Sequence, residues 1–305
     1  MDFGLLRTFV KVAELGSFTR ASGQLGLPKS RVSASVQQLE AQLGARLLHR
    51  TTRTVRLTPD GEQFLERGRI LLADAEELQA LFQQAPSSLR GRLRVDLPTG
   101  LARSVVIPRL PEFLAAHPML EIELSTTDRR VDPVHEGFDC VLRVGQLQDS
   151  GLVARRLGQL TQVNCASPGY LARHGTPLTL EDLAHHRLVR WASAPGGPTA
   201  GWEYHDGERY RMQEMAGVIT VNHTDAYQAA CIAGLGLIQA PRVGAAAPLA
   251  AGLLVEVLPQ WTAEPMPVSL VYPSRRHLSQ RVQALMDWLA ELLTPHLDAA
   301  ASERP

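Results

Sequence analysis

The chain has 305 residues, of which 45% are apolar, and this length and composition fit two globular domains. No stretch approaches the roughly 20 consecutive apolar residues that span a bilayer, so a cytoplasmic protein without a membrane partner is predicted. The three cysteines lack CxxC spacing, which argues against a disulfide framework or a zinc site. Neither a metal nor a cofactor is predicted.

The formal net charge of zero hides an uneven distribution of charge along the chain. Residues 1–58 hold nine Lys or Arg and three Asp or Glu, a net charge of +6, whereas 59–91 and 92–305 each stand at −3. A basic segment suits the phosphate backbone of double-stranded DNA, because each cation that neutralises a phosphate releases condensed counterions. The alternative is a solvated charged face without a partner.

The basic segment contains a pattern of three helices followed by a β-hairpin. A first helix begins at Asp2 and ends near Gly16, a second covers 19–25, and a third covers about 30–43. The compact turn between the second and third helices is that of a helix-turn-helix. Residues 47–57 predict a β-hairpin with a basic tip, which is a wing.

The predicted third helix has one apolar face and one polar face. Val32, Val36, Leu39 and Leu43 form a narrow apolar stripe that should face the core. The opposite face has small and hydrogen-bonding side chains, where an ordinary surface helix would more often carry Glu and Lys pairs, and such a face suits a major groove. The residues predicted to contact DNA are Arg20, Lys29, Ser30, Arg31, Ser33, Ala34 and Gln37, with Arg50, Thr52 and Arg53 of the wing.

A long helix should connect this region to the rest of the chain. Thr58 and Pro59 supply a cap and a first-turn proline, and the helical pattern continues to about Gln84. Apolar residues recur in it at a seven-residue interval, which is typical of a helix that pairs with a second copy. The predicted dimerisation residues are Phe64, Leu71, Leu78 and Leu81. The alternative is a helix packed on its own domain.

Several segments of the chain resemble the LysR-type transcriptional regulators. In the N-terminal region these are FVKVAELGSFTRA at 9–21, Leu39-Glu40 with Leu43-Gly44, and RTTR at 50–53. Ile107-Pro108, Phe113, His117-Pro118, 139–145, SPGYL at 167–171 and GLG at 234–236 continue the resemblance. The resemblance implies an all-α winged helix-turn-helix with a linker helix, and a type 2 periplasmic-binding-protein-like α/β effector domain of two subdomains. It also implies a dimer, or a tetramer assembled from dimers, with RNA polymerase as a candidate partner.

β-rich and helical segments alternate from Arg92 onward, which predicts an α/β domain. The predicted strands cover 93–96, 121–125, 139–144, 162–165, 218–221, 237–239 and 267–272. The predicted helices cover 104–116, a short stretch before Asp139, a segment from Ser167-Pro168, 225–233, and a final amphipathic segment including 282–292. The predicted domains are 1–58 (winged helix-turn-helix), 59–85 (linker helix), 86–91 (hinge) and 92–305 (effector domain). Within the last, subdomain I is 92–161 with 268–305, and subdomain II is 162–267.

Polar residues at strand ends and helix starts are the candidates for ligand binding, because free N–H groups at helix N-termini attract anions. The predicted effector-binding residues are Thr99, Gly100, Thr127, Arg143, Asn222, His223 and Gln239. Arg143 could pair with a carboxylate, so the predicted effector is a small molecule, with a carboxylate as the candidate class. The alternatives are ordinary helix caps and, for Arg143, a structural salt bridge.

No catalytic constellation is visible in the sequence, so an effector-responsive regulator is predicted rather than an enzyme. The alternative is a small-molecule-binding protein or an enzyme whose basic N-terminal region mediates only assembly. The combination of an Arg-rich wing and a polar helix face favours the regulator.

Overall fold

The computed structural model describes residues 2–50, 55–80, 89–147, 152–194, 196–199, 201–273 and 278–298. The chain separates into two compact units, Met1–Gly91 and Arg92–Pro305. None of the helices in these described ranges is both long and apolar enough to cross a membrane.

The described part of the N-terminal unit consists of four helices and one β-hairpin. The helices are α1 (Phe3–Leu15), α2 (Phe18–Leu25), α3 (Lys29–Leu43) and α4 (Pro59–Ala80). The antiparallel strands β1 (Leu48–Arg50) and β2 (Val55–Leu57) lie between α3 and α4. The tip of the hairpin and the predicted end of the linker helix at Gln84 lie outside the described residues.

Local signals set the ends of the first three helices, as predicted. The Asp2 carboxylate accepts a hydrogen bond from the Gly4 N–H at 2.7 Å, and the Ser17 hydroxyl caps α2. The three helices end at Gly16, Gly26 and Gly44, all with φ between 57° and 66°, a region that glycine adopts without steric cost.

The predicted apolar stripe of α3 is confirmed at three of its four positions. Val32, Val36 and Leu39 are fully buried in the core of the N-terminal unit. The expectation for Leu43 is wrong, since this side chain is 41% exposed. Leu43 lies in the last turn of α3, immediately before the terminating Gly44.

Helix α4 shares the core of the N-terminal unit. The Thr58 hydroxyl caps it by accepting a hydrogen bond from the Gly61 N–H at 2.9 Å. Leu65 and Leu72 are buried in that core, and the Phe64 ring meets the Phe9 ring edge to face with centroids 5.5 Å apart. One face of α4 therefore packs on its own domain, which is the alternative to pairing that the sequence left open.

The C-terminal unit is an α/β structure with one large and several small sheets. Its strands are β3 (Arg90–Leu97), β4 (Met119–Thr126), β5 (Cys140–Val144), β6 (Val153–Leu160), β7 (Gln162–Ala166), β8 (Arg190–Trp191), β9 (Trp202–His205), β10 (Tyr210–Gln213), β11 (Thr220–Val221), β12 (Ile238–Pro241), β13 (Val255–Glu256) and β14 (Met266–Tyr272). Its helices are α5 (Thr99–Leu101), α6 (Ile107–Ala116), α7 (Pro168–His174), α8 (Thr224–Ile232), α9 (Arg242–Ala250) and α10 (Gln280–Leu293). A π-helical turn, Ala102–Val106, joins α5 to α6, so residues 99–116 form one continuous helical segment.

Two subdomains form around separate sheets. The five-stranded sheet has the order β4-β3-β5-β14-β6, with β3 parallel to β5 and β14 antiparallel to both β5 and β6. In the second subdomain β7 pairs antiparallel with β12 and β13, beside the parallel pair β8 with β11 and the hairpin β9–β10.

Several elements of this unit differ from those predicted from the sequence. The short helix expected before Asp139 is replaced by turns at 133–137, where the Asp132 carboxylate accepts hydrogen bonds from the N–H groups of Val134 and His135. Strand β6, the hairpin β9–β10 and helix α9 were not predicted. The strand β6 is the edge of its sheet and its first four residues are exposed, so it lacks the apolar pattern of a central strand.

Candidate functional site

The exposed face of α3 carries most of the residues predicted to contact DNA. Lys29, Ser30, Arg31, Ala34 and Gln37 are exposed, opposite the buried stripe of the same helix. The cations lie in its first turn, which holds no acidic side chain, so the positive end of the helix dipole adds to their field. The face therefore offers an anchor for phosphate beside small side chains that can approach base edges.

Two further predicted residues of the helices flank this face. Ser33 is half-buried on α3, and Arg20 is exposed on α2. The Arg20 guanidinium donates a hydrogen bond to the Leu15 carbonyl at the end of α1, which fixes part of this side chain.

The β-hairpin is attached to α3 through one carboxylate. Glu40 Oε1 accepts hydrogen bonds from the N–H groups of Leu47 and Leu48 at 2.9 and 3.1 Å. Arg56 on β2 is exposed. The side chain of Arg50 and the whole of Thr52 and Arg53 lie outside the described residues.

A cavity of about 370 Å³ lies between the two subdomains of the C-terminal unit. Its walls are mostly apolar, and they include Val144 and Leu160 from the first subdomain and Leu188, Trp191 and Met212 from the second. This volume is within the range of small-molecule sites, and the contribution of both subdomains means that a bound molecule would touch both.

A buried ion pair supports the polar side of the cavity. Arg143 on β5 lines the cavity and is 15% exposed, and its Nη1 lies 3.1 Å from Oδ2 of the fully buried Asp96. Burial lowers the pKa of the Arg143 guanidinium, and the Asp96 carboxylate acts in the opposite direction. Arginine side chains are not deprotonated in proteins, so Arg143 carries a positive charge. Its Nη2 is buried and has no hydrogen-bond acceptor among the described residues. A ligand oxygen would satisfy it.

Hydroxyl groups hold the carboxylate of that pair in place. Ser125 and Thr127 both donate hydrogen bonds to Asp96 Oδ1, at 2.7 and 3.1 Å. Because the two hydroxyls fix the Asp96 carboxylate, Nη1 of Arg143 has a fixed acceptor. Its Nη2 can still donate a hydrogen bond.

A second ionisable group, Glu203, lines the cavity from β9. Burial raises the pKa of the Glu203 carboxyl. The neighbouring Gln239 side chain accepts a hydrogen bond from the Glu203 N–H and donates to the Glu203 carbonyl and to Asn164 Oδ1, all within 2.9 Å. The two amide hydrogens of Gln239 therefore join β12 to β9 and to β7.

The predicted effector residues fall into two groups. Gly100, Thr127, Arg143 and Gln239 line the cavity. Thr99, Asn222 and His223 are not among its lining residues. Thr99 Oγ1 lies 3.4 Å from His223 Nε2, and His223 Nδ1 caps α8 by accepting a hydrogen bond from the Asp225 N–H. Asn222 precedes this cap in a bend.

Three acidic residues of the site were not predicted from the sequence: Asp96, Asp128 and Glu203. A signal was present for Asp96, which interrupts the apolar alternation of β3 and so required a buried partner. Asp128 and Glu203 lie in polar stretches and carried no such signal.

The three cysteines are buried, and burial raises the pKa of the Cys165 and Cys231 thiols to about 12. At neutral pH such thiols contain very little of the reactive thiolate. In the described ranges no group of three or more His, Cys, Asp or Glu side chains could hold a metal ion.

The chain matches two family models. Residues 3–62 match the bacterial regulatory helix-turn-helix protein model of the lysR family, and residues 86–294 match the LysR substrate binding domain. The HTH-type transcriptional regulator YhjC of Escherichia coli K12 is 48% identical to this chain over 96% of it and 98% of that protein. An HTH-type transcriptional repressor of Pseudomonas aeruginosa strain UCBPP-PA14 is 41% identical over 94% of this chain and 90% of that protein.

Solved structures show the same architecture. CrgA, a LysR-type transcriptional regulator from Neisseria meningitidis, is 29% identical with a TM-score of 0.60, over 95% of this chain and 98% of that one. The full-length virulence activator AphB of Vibrio cholerae is 28% identical with a TM-score of 0.58, over 97% and 100% of the two chains. The predicted fold class, an N-terminal helix-turn-helix domain and a C-terminal effector domain of two subdomains, is confirmed.

Proposed function

Because the chain belongs to the LysR family of bacterial transcriptional regulators, we propose that a small carboxylate binds at Arg143 and controls its activity. The chain is a regulator with a helix-turn-helix DNA-binding domain and an effector-binding domain, and not an enzyme. The observation that carries the proposal is the buried Nη2 of Arg143, which lacks an acceptor in the described residues and lies beside the cavity.

The surroundings of Arg143 favour an anionic ligand with an apolar body. A carboxylate oxygen could accept a charge-assisted hydrogen bond from Nη2 without displacing Asp96. The apolar walls would cover the rest of the molecule. Gly100 and Thr127 lie along the same cavity and Gln239 braces its wall, so we assign them contact or supporting roles. Thr99, Asn222 and His223 would act beside the cavity, at the helix starts.

Small carboxylates that stabilise the protein are expected to lose their effect when Arg143 is replaced by lysine. Lysine keeps a charge beside Asp96 but lacks the planar fork, so one charge-assisted hydrogen bond to the ligand is lost and affinity should fall about 10- to 100-fold. A thermal-shift screen of carboxylates, each paired with its uncharged amide, followed by calorimetry on the hits, measures this.

Arg155→Lys is the matched control. Arg155 lies on β6 of the same sheet, pairs with Asp287 and does not line the cavity, so this variant should bind like the wild type. Equal binding of amides and acids, or an unchanged affinity of Arg143→Lys, would refute the carboxylate proposal.

For the DNA-binding domain we propose that α3 enters the major groove. Ser33, Ala34 and Gln37 would meet base edges, while Lys29, Ser30, Arg31 and Arg20 would contact the backbone from the flanks. Arg50, Thr52 and Arg53 of the wing would contact phosphates and the minor groove. The exposure of the α3 residues and the basic charge of residues 1–58 support this arrangement.

Arg31→Ala is expected to weaken DNA binding to a similar extent on all sequences, because it should remove one phosphate contact. For the same reason the slope of log affinity against log salt concentration should become shallower by about 0.9. Fluorescence anisotropy with a labelled duplex of random sequence measures both quantities. Arg69→Ala is the control, because Arg69 lies on α4 and pairs with Glu14 at 3.2 Å. A wild-type salt slope for Arg31→Ala, or an equal change for Arg69→Ala, would remove Arg31 from the interface.

Regulators of this family bind DNA and small molecules and oligomerise; we propose that this chain pairs through α4. Leu71, which is 37% exposed, would lie in the seam with Leu78 and Leu81, and Phe64 would flank it. The side chain of Leu78 and all of Leu81 lie outside the described residues. In this proposal the chain assembles as a dimer or a tetramer. It contacts RNA polymerase in the cytoplasm, where promoter DNA lies.

The proposed boundaries are those predicted from the sequence: a domain at 1–58, a linker helix at 59–85, a hinge at 86–91 and an effector domain at 92–305. The family-model ranges 3–62 and 86–294 and the compact units that meet at Gly91 support them. Because α4 shares the core of the N-terminal unit, its first half would move with the DNA-binding domain.

A further inference from the structure

One carboxylate joins the starts of two helices from different subdomains. Asp128 follows β4 in the first subdomain, and its Oδ1 accepts a hydrogen bond from the Thr99 N–H at 3.0 Å. Its Oδ2 accepts a hydrogen bond from the Thr224 N–H of the second subdomain at 2.6 Å. Thr99 begins the continuous helical segment 99–116, and Thr224 begins α8.

The two helix starts form a place suited to an anion. The first N–H groups of a helix have no partner within the helix, and the helix dipole puts partial positive charge there. Gly100 permits the close approach of the two starts, since a Cβ at this position would lie only 3.2 Å from Thr224 Cγ2. Asp128 thus supplies from within the chain the negative charge that these two helix starts attract.

Other contacts between the subdomains surround Asp128. Thr99 Oγ1 meets His223 Nε2 at 3.4 Å, and Arg103 in the π-helical turn lies 2.6 Å from the Asp225 carboxylate. Arg103 also donates a hydrogen bond to Gln228 Oε1 at 3.0 Å. The ion pair is about half exposed and so contributes little, which leaves the Asp128 carboxylate as the group that binds both helix starts directly.

We propose that Asp128 is a resident anion of this cleft. It holds the two subdomains together without a ligand and occupies the helix starts, so that an effector carboxylate is directed to Arg143 instead. This specificity role rests on the proposed effector cavity. The binding of Asp128 to the two helix starts does not rest on that cavity. The experiment below compares formate responses of variants that all keep Arg143, so formate bound at Arg143 would affect them equally, and failure of this proposal can be told apart from failure of the effector proposal.

Chemical rescue by formate tests the proposal on the full-length chain. Asp128→Ala removes the carboxylate and leaves space that formate can enter. We expect this variant to melt about 5 °C below the wild type, because two charge-assisted hydrogen bonds are lost. Sodium formate should restore the melting temperature in a saturable way, whereas sodium chloride at equal ionic strength should not.

Hydrogen exchange locates the effect. Peptides that contain the amides of Thr99 and Thr224 should exchange faster in Asp128→Ala, and formate should restore their protection. Asp132→Ala is the matched control, because the Asp132 carboxylate also accepts two backbone hydrogen bonds, but only from its own turn. Formate should not raise the melting temperature of Asp132→Ala.

Asp128→Asn keeps the shape and fills the space that formate would need. Its amide oxygen can accept from only one helix start, and its NH2 group would face the N–H of the other. We therefore expect a lower melting temperature than the wild type, faster exchange at one of the two amides and no formate response. This variant carries the test if Asp128→Ala does not fold in either salt. Wild-type exchange at both amides in either variant, or equal formate effects on Asp128→Ala and Asp132→Ala, would overturn the proposal.

Discussion

Replacement of Asp96 by alanine should lower the free energy of unfolding of the C-terminal unit by about 3–5 kcal/mol. Asp96 is fully buried, and its removal leaves the guanidinium of Arg143 without its carboxylate. The hydroxyls of Ser125 and Thr127 would also lose their acceptor. A buried charge without a partner costs far more than the pair contributes when it is intact, which is why this change should be among the most damaging in the unit.

Urea unfolding followed by tryptophan fluorescence measures this loss, because all four tryptophans lie in the C-terminal unit. Glu123→Ala is the matched control: Glu123 lies on β4 of the same sheet and contacts Arg92 and Arg94, but its side chain is 38% exposed. It should cost less than about 1 kcal/mol. Equal losses for the two variants would mean that burial of the Asp96 pair does not determine its energy.

The N-terminal unit could be predicted closely because its signals are local. Each of the first three helix ends is set by a glycine next to the helix, and Asp2, Ser17 and Thr58 cap helices through side chains within three residues of their partners. The burial of Val32, Val36 and Leu39 follows from a single helical period. Leu43 fits the same period but is exposed, since periodicity does not show how far along a helix the core extends.

The candidate site was less predictable because its contacts are distant in sequence. Arg143 was recognised as a possible partner of a carboxylate, and the structure places the buried Asp96, 47 residues earlier, beside it. Asp128 and Thr224 are 96 residues apart, and only the packing of two subdomains brings them together. The resemblance of several segments to the LysR-type regulators indicated the family, and polar residues at strand ends indicated the cleft. The identity of the charges in the cleft required the tertiary fold.

Gly61 and Gly23 should respond in opposite directions to the same change. Gly61 lies in the first turn of α4, and a Cβ there would be 1.9 Å from the carbonyl oxygen of Leu47. Backbone atoms cannot rotate out of the way, so Gly61→Ala must push α4 from the start of the hairpin and weaken the Thr58 cap. We expect a loss of about 3 kcal/mol in the N-terminal unit, as for other overpacked sites.

Gly23 is exposed within α2, and a Cβ there would meet nothing within 4 Å. Gly23→Ala should therefore stabilise the N-terminal unit by about 0.5–1 kcal/mol, because alanine restricts the unfolded chain and favours the helix. Circular dichroism at a helical wavelength follows the unfolding of both units, whereas tryptophan fluorescence follows only the C-terminal one. The dichroism transition should move down in urea for Gly61→Ala and up for Gly23→Ala, with the fluorescence transition unchanged. Coincident curves for Gly61→Ala and the wild type would show that α4 can begin without close contact to Leu47.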